Sequence, residues 1–166
     1  DNVMRMGVDI RLVGSLSFVM NTNLTAGSGQ VWLSNSSNDF VCFFSVSRRS
    51  TSLTLFPSPT LGTIVSENDF TVSSAGALDL GTATIGGSMT ATSSGGDITQ
   101  SGSLSVASTA NISAGSGQVA LSNASNDFGG VVSASGGSIS LADIGSLTLG
   151  TIVSENDFTV SSAGAL

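Results

Sequence analysis

LGTIVSENDFTVSSAGAL occupies residues 61–78, and the same eighteen letters occupy residues 149–166. The two copies stand 88 residues apart, and the offset extends well beyond them. LTAGSGQVWLSNSSNDF at 24–40 returns as ISAGSGQVALSNASNDF at 112–128, and GVDIRLVGSLS at 7–17 returns as GGDITQSGSLS at 95–105. Residues 1–78 lie on 89–166 without a gap, and 46 of the 78 aligned positions are identical. A fixed period without insertions is the mark of a repeat architecture. The chain divides into a first copy at 1–78, the remainder of the module at 79–88, and a second, truncated copy at 89–166. All three belong to one continuous array.

A shorter rhythm runs inside the module. GSLTLGTIVSENDFTVSSAG (145–164), GALDLGTATIGGSMTATSSG (76–95) and GDITQSGSLSVASTANISAG (96–115) are each twenty residues long, and SGQVALSNASNDFGGVVSASG (116–136) is twenty-one. Apolar residues alternate with small polar ones along each line, the period-two signature of strands. Gly, Ser and Asn clusters every five to eight residues punctuate them into short strands and tight turns. A twenty-residue unit cannot bury its own apolar side chains, but it can when wound and stacked on its neighbours. The expected fold is all-β: a right-handed parallel β-helix of about eight coils, four per 88-residue module with one enlarged. At about 4.8 Å of rise per coil the rod is roughly 35–40 Å long. Stacking the lines places Leu78, Ile98 and Leu147 in one column, and Met89 and Phe158 in another. An antiparallel sandwich shares the short strands but does not require the exact period, and a propeller blade is about 40–50 residues.

The first copy departs from the second in one place. VCFFSVSRRSTSLTLFPSPTLG (41–62) stands where the second copy has GGVVSASGGSISLADIGSLTLG (129–150). Val41, Cys42, Arg48 and Arg49 replace glycines, and Phe43 and Phe44 replace valines. Pro57 replaces Gly145, and Pro59 replaces Leu147. Proline donates nothing to a strand ladder. The segment 41–60 is expected to be the least regular, with faster amide exchange than 129–148. A stacked array tolerates one poor coil because its stability is nearly a sum of neighbour terms.

Composition narrows the function. Charged residues make up 9% of the 166, the net charge is −7, and there is no His, Tyr or Lys. All four bases (Arg5, Arg11, Arg48, Arg49) precede residue 50, and eight acids follow it. Such a surface lacks the basic footprint of a nucleic-acid binder. The single Cys42 forms no internal disulfide and has no His to activate it. No leader and no run of about 18 apolar residues is visible, so no membrane insertion is expected. The paired acids Glu67/Asp69 and Glu155/Asp157, with the SNDF and GGDI acids, invite a general acid–base or calcium reading. The sugar-holding groove such an enzyme needs is not in evidence, with one Trp (Trp32) in the chain, and the calcium pattern G-G-x-G-x-D is absent. Solvent-facing turn residues bonding their own backbones account for them better. Asn23, Asn35, Asn111 and Asn123 start Asn-x-Ser/Thr triplets, which are glycan acceptors in a eukaryotic secretory route and also arise by composition. No catalytic, metal-binding or cofactor-binding residue is assigned.

The D-I-T-Q-S-G run, the A-G-S-G-Q-V-x-L-S-N turn and the L-x-L-G-T step resemble the repeat regions of filamentous haemagglutinin-like large exoproteins, two-partner-secreted bacterial adhesins. The resemblance covers 62–166 and, more weakly, 7–40. It implies a structural β-helical shaft of a secreted cell-surface adhesin and not an enzyme. The shaft would present tip domains and a repetitive polar face to host-cell or matrix glycan or protein, in virulence-linked adhesion. An outer-membrane secretion partner would act through a domain not in this chain. The rival readings are a carbohydrate-active β-helix enzyme and a self-associating biofilm matrix protein.

Overall fold

The computed structural model describes residues 2–5, 9–12, 14, 17–18, 22–25, 30–33, 35, 39–40, 44–47, 50–55 and 58–166. Every regular element among them is a β-strand, and the strands pair in parallel. They stack as a parallel β-helix with three faces. One face is a seven-stranded sheet that begins with Asn2–Arg5 and ends with Asp127–Phe128. The next is an eight-stranded sheet from Ile10–Leu12 to Thr148–Ser154, and the third a five-stranded sheet from Leu78–Asp79 to Phe158–Ser162. Ser17–Phe18 and Asp39–Phe40 form a separate two-stranded sheet in the first two coils. One face is crossed eight times and another seven, which roughly matches the expected eight coils.

Period-two alternation sets the inside and the outside. Phe70–Ser74 buries Phe70, Val72 and Ser74 and turns Thr71 outward, and Met89–Ser93 repeats the pattern above it. Register then places like on like. Val31, Thr51, Phe70, Met89, Ala110 and Val132 are successive partners in one inner column of the eight-stranded face. Leu33, Leu53, Val72, Ala91, Ile112 and Ala134 form the next column. Apart from Thr51, these side chains, with Leu78 and Ile98 from the third face, join one apolar core. Burying each large aliphatic or Phe side chain contributes about 1.5–3 kcal/mol, so the stack is held chiefly along its axis, coil against coil.

The corners use polar atoms. A serine ending a strand donates its hydroxyl to the carbonyl three residues on: Ser66 to Asp69 at 3.1 Å, Ser74 to Ala77 at 3.3 Å, Ser154 to Asp157 at 2.9 Å and Ser162 to Ala165 at 3.3 Å. Each bond folds the chain back on itself where the ladder stops, in the manner of a Ser/Thr turn. Gly81 sits at φ +61°, and a β-carbon there would lie 2.1 Å from the Leu61 carbonyl oxygen of the coil below, so only glycine allows this approach.

The two identical eighteen-residue stretches occupy different faces. Leu61–Ser66 lies in the seven-stranded sheet and Phe70–Ser74 in the eight-stranded one. Their copies, within Thr148–Ser154 and at Phe158–Ser162, lie in the eight- and five-stranded sheets. The same shift by one face relates Ile10–Leu12 to Ile98–Thr99, Val31–Leu33 to Val119–Leu121, and Thr51–Leu55 to Ile139–Asp143. The module therefore spans four coils and one further face, about four as expected but not a whole number, and no coil is enlarged. Local geometry survives the move. Against the coil below, Leu61 and Ile64 pair with Phe44 and Val46, one extra residue forming a bulge; Leu149 and Ile152 pair with Val132 and Ala134 in the same way. Leu-Gly-Thr makes the same bulge on either face.

This phase corrects two expected columns. Leu78 and Ile98 are register partners, but Leu147, although buried in the same core, follows Ile139–Asp143 and precedes Thr148–Ser154 and so belongs to another face. Met89 stacks on Phe70, while Phe158 stacks on Ile139. Stacking by twenty-residue lines missed the extra third of a coil.

Of the irregular segment 41–60, residues 41–43, 48–49 and 56–57 lie outside the described residues, and with them Cys42, Arg48, Arg49 and Pro57. Phe44–Ser47 and Thr51–Leu55 pair in register with the coils on either side, apart from the Leu-Gly-Thr bulge. Pro59 is buried, and its carbonyl accepts the Asp79 N–H at 3.1 Å. Pairing there shrinks to one bridge, Thr60 with Asp79. The equivalent pass through Leu147 has no strand either. The brevity of this pass, and not proline alone, limits its ladder.

Candidate functional site

The paired acids do not converge. Glu67, Asn68 and Asp69 are exposed at the corner between the seven- and eight-stranded faces, and Glu155, Asn156 and Asp157 are exposed at the next corner. Asp69 has structural work: its Oδ1 accepts the Ser88 N–H of the following coil at 2.8 Å. Asp9 accepts the Gln30 N–H at 2.8 Å, and its module equivalent Asp97 accepts the Gln118 N–H at the same distance. These carboxylates bind backbone of the neighbouring coil through charge-assisted contacts. Asp79, outside the paired-acid, SNDF and GGDI motifs, does bond its own turn: its Oδ1 accepts the Gly81 N–H at 2.8 Å. No cluster of three or more metal-ligating side chains occurs among the described residues.

Two buried polar groups were not legible from the sequence. Asn126 has no exposed surface. Its Oδ1 accepts the Leu104 N–H at 2.9 Å and the Gln100 Nε2–H at 2.7 Å. Its Nδ2 donates to Gln100 Oε1 at 2.9 Å, to the Leu121 carbonyl at 3.1 Å and to the Ala142 carbonyl at 3.3 Å. One side chain thus ties together three successive coils. Asp143, nearly as buried, accepts the Phe128 and Gly145 N–H groups, each at 2.8 Å. Both groups are satisfied within the fold and face no cleft, which marks them as structural.

The outward side of the eight-stranded face carries rows of small polar residues. Thr71, Thr90, Asn111 and Ser133 are successive partners in one row, and Ser73, Thr92, Ser113 and Ser135 in the next. Ser135 donates to the Ser113 hydroxyl at 3.0 Å, so the rows form polar ladders. From Thr90 and Thr92 onward these rows, with Thr151 and Val153, line a shallow trough of about 260 Å³ without a charged side chain. Toward its N-terminal end the first row continues through Ser52 to Trp32, 38% exposed, and Arg11. The Arg11 guanidinium lies 5.6 Å from the Trp32 ring centre, a cation–π contact. The 21-residue spacing of this pair was its only sequence signal.

The glycosylation triplets serve varied ends. Asn111 is exposed in the trough, Asn123 accepts the Ser125 N–H at 2.9 Å, and Asn35 is half-buried. The side chain of Asn23 lies outside the described residues. No helix among the described residues is long and apolar enough to cross a membrane.

Fold and faces together define a class: a three-faced β-solenoid built from tandem repeats, with its polar groups spent on the seams between coils. Comparison with known families agrees at that level. Residues 67–135 match the model of a family described as Repeats of unknown function (DUF5649). No curated protein and no solved structure matches the chain.

Proposed function

We propose that this chain is a stretch of the shaft of a secreted bacterial cell-surface adhesin: a stiff spacer holding adhesive or toxic domains away from the cell, with its repeated outer faces making weak contacts to host or matrix surfaces. The observation that carries the reading is the coil-on-coil register of the eight-stranded face, which puts backbone hydrogen bonds and stacked apolar side chains along the axis. The exposed acids on separate corners and the shallow neutral trough favour it over a carbohydrate-cleaving enzyme, which needs converging acids in a groove. Its parallel coils resist bending because every coil is bonded to two neighbours.

The test inserts the chain between an outer-membrane anchor and a small binding domain of known target. Cell attachment under shear is expected to fall when the segment is deleted. Another β-solenoid of equal length should restore it, and a Gly/Ser linker should not. Equal attachment with the flexible linker would refute the spacer role.

A further inference from the structure

We infer that the 88-residue module is a one-third-turn screw, so that a surface feature carried once per module is dealt to each face of the shaft in turn. The Glu-Asn-Asp corner is the clearest case. Glu67 lies on the line that continues through Gly86, Ala107 and Gly129, between the seven- and eight-stranded faces. Glu155 lies on the line through Ala75 and Ser94, between the eight- and five-stranded faces. The exposed outward valines behave alike: Val65 is on the seven-stranded face and Val153 on the eight-stranded one.

The cause is arithmetic in the backbone. Thirteen face positions separate the copies, one of them the short pass through Leu147, and thirteen is not a multiple of three. The bulge at Leu61-Gly62-Thr63 and Leu149-Gly150-Thr151 shows that the seven- and eight-stranded faces accept the same sequence with the same local geometry. Successive modules would rise about 21 Å and turn by one face, and three would complete thirteen coils, about 62 Å, before a feature returned to its starting face. A single flat rigid surface laid along the shaft reaches one copy in three.

Spin-label distances test the screw without reference to adhesion. In a Cys42→Ser background, one variant carries Ala75→Cys with Glu155→Cys, and the other Glu67→Cys with Glu155→Cys. All three labelled positions are exposed corners. Ala75 and Glu155 are four coils apart on one line, about 19 Å. Glu67 and Glu155 are also separated by the width of a face, which brings them to roughly 29 Å at about 3.3 Å per residue. A module of whole coils would reverse the order, with Glu67 beneath Glu155. Reversed or equal distances overturn the inference.

Discussion

Replacing Asn126 with alanine removes a side chain that three coils share, and its cost can be worked from the contacts. The Leu104 N–H loses its acceptor in a site with no access to solvent, and an orphaned buried donor costs about 1–3 kcal/mol. The Leu121 and Ala142 carbonyls each lose one donor, at about 0.5–1.5 kcal/mol apiece. Gln100 is half-buried, and water replaces its lost partner at little cost. Asn126→Ala should therefore destabilise by about 2–6 kcal/mol, a large share of the roughly 5–15 kcal/mol a domain has in total. Urea unfolding reads the global loss. Amide exchange reads it locally: about 3 kcal/mol at the Leu104 amide is roughly a hundredfold faster exchange, since each 1.4 kcal/mol is a factor of ten. Gln100→Ala keeps the Asn126–Leu104 contact and should cost about 1 kcal/mol. A loss below about 1 kcal/mol for Asn126→Ala, with the Leu104 amide as protected as before, would refute the reasoning, because the N–H would then have found another acceptor.

Thr51 is 2% exposed and its hydroxyl has no hydrogen-bond partner among the described residues, so Thr51→Val should raise stability by about 1 kcal/mol in urea melts. Gly81→Ala should cost more than about 2 kcal/mol, combining left-handed strain with the Leu61 carbonyl clash, while Gly95→Ala, at φ +100° with nothing nearer than 3.4 Å, should cost only the strain of about 1–2 kcal/mol; thermal unfolding of both variants ranks them. Phe70 is 1% exposed between Thr51 and Met89, and Phe158 is 41% exposed on Ile139. Phe70→Ala should cost about 3–5 kcal/mol and Phe158→Ala well under half of that, although the residues lie in identical sequence; equal losses in urea unfolding would contradict the assigned stacking.

The parallel coil was legible because its cause is local and repeated: alternation along each line, glycine or serine at each corner, and one period throughout. The phase was not, because residue count does not fix strand count. The third face takes only Leu78–Asp79 in one coil and Ile139–Asp143 in another, so an extra short face passes unnoticed in a sequence laid out by twenties. Asn126 reads as a turn residue in SNDF; only the fold shows that the Leu104 amide and Gln100 come to meet it. Arg11 and Trp32 meet because one coil there spans 21 residues, a number that means little until the faces are counted. Asp69 and Asp97 bind the coil above and not their own turn, a distinction that requires the register.

The Leu-Gly-Thr bulge, formed alike on two faces, bears on how such genes change length. Unequal crossover between copies inserts or removes one 88-residue period and rotates everything downstream by a third of a turn. Because a strand and its copy sit equally well on adjacent sides of the prism, a segment displaced by one face finds matching neighbours. A shaft built this way can lengthen or shorten in a single recombination event without passing through a misfolded ancestor.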